Sequence, residues 1–155
     1  MEIALFQPDI AANAAAAIRL ATCFAVPVSI IEPTGFVFDH QRLRRVGMDY
    51  VELAELKRWP SWTVFEQARQ RAGQRLVLLT TRGTVRYHEV RFQPDDILLG
   101  GRESAGVPDE VHATADLSVT VPMAREARSL NLVTALAVVL GEGLRQTDGF
   151  PRLTG

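Results

Sequence analysis

The chain holds one cysteine, Cys23, in 155 residues. That excludes an internal disulfide framework and fits a reducing compartment, so a cytoplasmic protein is expected. Cys23 falls in an apolar, alanine-rich run and reads as a core residue. Lysine is equally scarce: Lys57 is the only one, and every other basic residue is arginine. The net charge is −1, so no global basic field announces a nucleic-acid partner. Arginine does fork onto phosphates and stack on bases, although compositional bias towards Ala and Arg produces the same pattern. No apolar run reaches the roughly 18 residues that a membrane span needs. The start, MEIALFQPD, lacks the basic segment of a secretion signal.

Several motifs are also missing. There is no G-x-x-x-x-G-K-[ST], which excludes a P-loop of that type. The turn after the first apolar run, PDIAANAAAA, has no glycine, which argues against the usual dinucleotide fingerprint. His40, His88 and His112 lie far apart and at no metal-like spacing to Cys23, so no metal is expected. RESAG resembles a nucleophile elbow without its leading glycine, so Ser104 is not read as a nucleophile.

What is present alternates between two periods. EIALFQ (2–7) reads as a strand, Ile10–Ala25 as a helix and Pro27–Ile31 as a second strand. Residues 39–49, DHQRLRRVGMD, read as a short basic helix and Tyr50–Leu53 as a strand. Ser61 caps a helix that Gly73 stops. Arg75–Thr81 and Ile97–Gly101 are buried strands, separated by an irregular stretch with one short helix or edge strand. A short helix near Asp109–Ala113 and a last strand, Asp116–Met123, follow. The chain closes with an apolar helix from about Ser129, its N-cap, to Gln146. That helix carries more apolar residues than one stripe needs, so it should be covered on more than one face. Residues 1–155 are therefore expected to form one three-layer α/β domain with a mainly parallel sheet. Composition and periodicity do not name a reaction.

The motifs go further. VPMAREARSLNLVTALAVVLGE resembles the last signature of the SPOUT class of RNA methyltransferases, in the form of the small tRNA wobble-nucleotide 2'-O-methyltransferases (the TrmL group). LFQPDIAANAAAAIRLA resembles the first signature, placing its Asn and Arg at Asn13 and Arg19. IIEPTGF, RLRRVGMDY and LLTTRGT resemble the middle of that group. ILLGGRESAGVPDEV resembles the second signature through Gly101, Glu103, Gly106 and Pro108. The chain departs from the pattern at Ala14–Ala16, at Arg102 in place of a proline, and at Ala105 in place of an arginine.

The resemblance implies a C-terminal trefoil knot, made by Leu78–Gly83, Leu98–Pro108 and Leu117–Leu132, which topology rules alone argue against. It implies a homodimer whose second subunit helps complete each site, and S-adenosylmethionine as cofactor, held at Leu79, Gly101, Val121 and Ser129. From the residues alone, Leu79 and Val121 read as plain core, since buried-strand aliphatics usually only pack. The catalytic group implied is Arg19, with Asn13, Glu103 and Asn131 in support. An arginine with pKa above about 12 orients and stabilises charge rather than acting as a free base. Arg42, Arg44 and Arg45 are expected to touch phosphates of a tRNA anticodon stem-loop, with no DNA or membrane partner. The implied reaction is 2'-O-methylation of the wobble cytidine or modified uridine, with leucine tRNAs as the family expectation. The departures leave two alternatives: a catalytically weak RNA-binding relative, or an enzyme of the same class acting on another RNA.

Overall fold

The computed structural model describes residues 1–39 and 50–152. The expected basic helix, and with it Arg42, Arg44 and Arg45, lies outside the described residues. Seven strands form one parallel sheet: β1 (Glu2–Phe6), β2 (Val28–Ile31), β3 (Leu56–Trp59), β4 (Leu76–Leu79), β5 (Val85–Arg86), β6 (Ile97–Gly100) and β7 (Leu117–Thr120). Their order across the sheet is β3-β2-β1-β6-β4-β7-β5, and every pairing is parallel. The helices are α1 (Ala11–Cys23), α2 (Tyr50–Leu53), α3 (Trp62–Ala72), α4 (Asp109–Thr114) and α5 (Leu132–Thr147), with a 3-10 turn at Tyr87–Glu89.

The two-residue period of the strands divides the core in two. Ile3, Leu5, Val28, Ile30, Val77 and Leu98 face α1 and α5, where Ile18, Leu136, Val139 and Leu140 cover them. Ala4, Phe6, Ile31, Leu76, Leu78 and Leu99 face the other way, against Phe65 of α3 and Val111 of α4. Each central strand is thus apolar on both sides, as a doubly covered parallel sheet requires. Ser29 enters this core with its partners: its Oγ donates to Glu2 and accepts from Trp59 Nε1 at 2.8 Å.

Ser61 caps α3, accepting from Val64 N at 3.3 Å, and Gly73 ends it in the left-handed region at φ +66°. Four sequence expectations need correction. Tyr50–Leu53 is a short helix rather than a strand; the strand follows it as β3. The N-cap of the last helix is Asn131, not Ser129, because the Asn131 side chain accepts from Val133 N at 2.9 Å and Thr134 N at 3.3 Å. Cys23 is exposed rather than core, because it falls on the outer face of α1 with Ala12, Ala16 and Arg19. The strands around the last two crossings are shorter than expected, ending at Leu79, Gly100 and Thr120, and their carboxyl ends open into loops.

Those loops define the architecture. The chain leaves β4, passes over the end of β7 and joins β5 on its far side. Thr80 N donates to Val119 O at 3.0 Å and Thr84 N to Ser118 O at 3.1 Å. A Cβ at Gly83 would stand 2.4 Å from the Val119 carbonyl carbon, so this crossing admits only glycine.

Candidate active site

The carboxyl ends of β4, β6 and β7 border a cleft of about 870 Å³. Open α/β sheets bind ligands at this carboxyl edge. Leu79 closes β4 on one wall, Gly101 follows β6, Val121 follows β7, and Ser129 lies in the loop running to α5; all four line the cleft. Leu79 and Val121 are half-buried, so they combine packing with an exposed apolar wall. Much of the remaining lining comes from residues 80–82 after β4, 105–109 after β6 and 119–120 at the end of β7.

The loop after β6 is drawn tight. Arg102 N donates to Gly106 O at 3.0 Å and Gly106 N returns to Arg102 O at 2.9 Å, with Gly106 at φ +65°. A Cβ at Gly101 would meet Gly106 C at 2.7 Å. The pinched loop aims Glu103 towards the start of α1. Glu103 Oε1 accepts from Asn13 Nδ2 at 3.1 Å, and Glu103 Oε2 accepts from Asp9 N at 2.7 Å. Asn13 Oδ1 in turn accepts from Asn131 Nδ2 at 3.1 Å, while Asn131 Oδ1 caps α5. Three side chains from three distant parts of the sequence therefore form one polar chain on the cleft wall.

This wiring fixes what each group can do. Each Glu103 oxygen accepts one hydrogen bond from an amide, so this carboxylate anchors the start of α1 and the Asn13 side chain. The Asn13 and Asn131 amides each spend one N–H inside the chain, leaving the other on each for a ligand oxygen.

Arg19 is elsewhere. It lies on the exposed face of α1, does not line the cleft, and its guanidinium lies over the Tyr50 ring at 4.9 Å from the centroid. The structure thus brings together Asn13, Glu103, Asn131, Leu79, Gly101, Val121 and Ser129, and keeps Arg19 apart within one subunit.

Sequence reasoning missed Asp9. Its carboxylate accepts from Ser104 Oγ at 2.5 Å and Ser104 N at 3.0 Å. These bonds, side chain first, then backbone, hold the Asp9 carboxyl below the usual carboxylate range. Pro8-Asp9 reads in the sequence only as the end of a strand. Ser104 donates its hydroxyl to a carboxylate, which is the arrangement of an anchored loop.

Comparison with known proteins places this geometry. Residues 1–141 match the model of the SpoU rRNA Methylase family. A tRNA (cytidine(34)-2'-O)-methyltransferase of Ancylobacter novellus is 46% identical over 152 residues, 98% of this chain and 96% of the relative. A solved structure from work on the 2-OH methylation of C/U34 on tRNA superposes with a TM-score of 0.88 at 36% identity, covering 94% of both chains. An AdoMet-bound rRNA methyltransferase from Sinorhizobium meliloti superposes with a TM-score of 0.84 at 27% identity, over 93% of this chain and 55% of that one. A parallel sheet with a glycine-lined cleft at its carboxyl edge, matched along nearly its whole length, belongs to the SpoU rRNA methylase family.

Proposed function

We propose that this protein transfers a methyl group from S-adenosylmethionine to the ribose 2'-hydroxyl of nucleotide 34 in tRNA. The observation that carries the reading is the Glu103–Asn13–Asn131 chain on the wall of the cleft bordered by Leu79, Gly101, Val121 and Ser129. The named activity of the Ancylobacter relative supports the substrate. The AdoMet-bound Sinorhizobium structure supports the cofactor.

The cleft suits that cofactor. Its volume lies in the range of sites for drug-sized ligands. Its walls offer backbone groups and aliphatic side chains, which suffice for an adenine ring. When bound, the cofactor supplies an electrophilic methyl on a sulfonium. The rest falls to the chain. The free N–H groups of Asn13 and Asn131 hold and orient the ribose oxygen, and Glu103 keeps both amides from rotating. Holding reactants at attack distance is the largest contribution such a site can make without a strong base.

Arg19 completes the site from a second copy of the chain. Supporting this, α1 and α5 pack side by side, and both show outward faces: Ala12, Ala16, Arg19 and Cys23 on one, Thr134 and Val138 on the other. Ile10, Leu130 and Val138 leave 46%, 40% and 37% of their surface exposed there, which a homodimer would cover. There Arg19 would grip the phosphate beside the target nucleotide and stabilise charge as the hydroxyl proton passes to a phosphate oxygen. Arg42, Arg44 and Arg45 are assigned to the anticodon stem-loop. The threading of β7 between β4 and β5 supports the expected trefoil knot. Incubation with labelled S-adenosylmethionine and bulk tRNA, followed by mass spectrometry, should place the methyl group on the ribose of nucleotide 34. No incorporation would overturn the reading; in a parallel incubation with ribosomal RNA, incorporation there alone would redirect it.

A further inference from the structure

We propose that Asp9 is a positioning residue: its contact with Ser104 holds the Glu103–Asn13–Asn131 chain in register with the cleft. This rests on the reading of the preceding subsection. Asp9 does not line the cleft, whereas its neighbours Ile10 and Asn13 do, so it acts through other groups.

Asp9 joins three segments. Its Oδ2 accepts both donors of Ser104. Its own N–H donates to Glu103 Oε2 at 2.7 Å. On its other side a Cβ at Gly35 would come within 2.9 Å of Asp9 Cα and 3.1 Å of Asp9 O, and Gly35 N donates to Pro8 O at 2.9 Å. The turn is thus pressed from behind and tied in front. Just before it, Gln7 adopts φ +45°, a conformation that non-glycine residues hold only where the surroundings impose it. Gln7 Oε1 also accepts from Arg102, so the turn grips the loop on both sides of Glu103.

Removal of the Asp9 carboxylate would hand the exposed Ser104 donors to water, cutting that tie and freeing the loop to shift. Glu103 would follow, and the Asn13 and Asn131 amides would lose their fixed direction. A displacement of about 1 Å at reacting groups can reduce turnover on the order of a hundredfold. Cofactor contacts along β4 and β7 would be untouched, whereas those made by the loop after β6, Gly101 among them, would loosen.

The test combines kinetics, binding and a spectroscopic signature. Asp9→Ala should lower kcat for tRNA methylation by roughly 10- to 100-fold, with KM for tRNA little changed and the calorimetric Kd for adenosylhomocysteine raised by a clearly smaller factor than the kcat loss. Asp9→Asn, which keeps an acceptor, should recover most of that loss. Ser104→Ala should be milder, and adding it to Asp9→Ala should cost almost nothing more, because the two act as one unit. Gly35→Ala, remote from the cleft, should reproduce the kcat defect. The side-chain amide NMR signals of Asn13 and Asn131 should move in Asp9→Ala. Wild-type kcat in Asp9→Ala, a parallel loss of cofactor affinity, multiplicative effects, or unmoved amide signals would each overturn the proposal. A wild-type protein that methylates nothing removes the functional reading instead, and the amide signals then still decide whether Asp9 orients these side chains.

Discussion

Asn131 Nδ2 donates to Asn13 Oδ1 at 3.1 Å across 118 residues of sequence, so one amide at the head of α5 sets the direction of another on α1. The same Asn131 caps α5 through its Oδ1. The two tasks can be separated. Asn131→Asp keeps the capping oxygen and loses the donor. Its thermal unfolding should match wild type within about 0.5 kcal/mol, while methylation falls at least about tenfold. Asn131→Ala should lose both, with about 1 kcal/mol of stability gone.

If Arg19 serves the cleft of a partner, two inactive variants should repair each other. Arg19→Ala and Asn13→Ala homodimers should each methylate tRNA poorly. A refolded equimolar mixture should regain roughly a quarter of wild-type activity, since half of the dimers carry one intact site. No recovery would place Arg19 in its own subunit's chemistry, or outside it.

Gly101→Ala forces a methyl group to within 2.7 Å of the Gly106 backbone. Neither chain segment can yield cheaply, so a stability loss of about 1–3 kcal/mol is expected. Calorimetry should show adenosylhomocysteine binding weakened by an order of magnitude or more.

Asp96 is fully buried and accepts from Arg75 Nε at 2.8 Å, Arg75 Nη2 at 2.7 Å and Gln93 N at 2.8 Å. Asp96→Ala leaves Arg75 Nε and Gln93 N without a partner beside the start of β6, while Arg75 Nη2 keeps only the Arg91 carbonyl, at 2.9 Å. Urea unfolding should show a loss of about 3 kcal/mol, with cofactor affinity unchanged because the cleft is at the opposite end of the strands.

Arg145, then Gln146, hold the Glu142 carboxyl down to about 2 from its ordinary 4.5. A lowered folded value means stability that is complete above 4.5 and lost as pH falls towards 2. Glu142→Gln should therefore melt slightly below wild type at pH 7 and together with it near pH 2. The gap should be small, because Arg145 faces solvent and water screens the pair.

The β-α-β opening and the buried strands were legible because apolar runs and turn residues alternate at clear periods. Tyr50–Leu53 misled because four residues carry no period: Val51 is buried, yet Leu53 stays 73% exposed. The real strand, LKRW, was hidden by Lys57 and Arg58, whose exposure marks an edge. Ser129 and Asn131 are both good caps before one apolar run, and only backbone geometry chooses between them. The meeting of Asn13, Glu103 and Asn131 left no local mark at all; the family likeness suggested it. Asp9 had neither mark, since its partner Ser104 lies 95 residues away.

The bridge from β4 to β5 has a temporal meaning. β4 and β5 are near neighbours in the chain, yet the strand between them in the sheet comes from residues 117–120. Synthesis delivers both flanking strands before their middle partner exists, so the arch at residues 80–84 must wait for a latecomer to slide beneath it. Such non-local closure is slow. The cleft is incomplete until residues 119–121 are in place, so affinity for its ligand doubles as a certificate that the polypeptide has finished assembling.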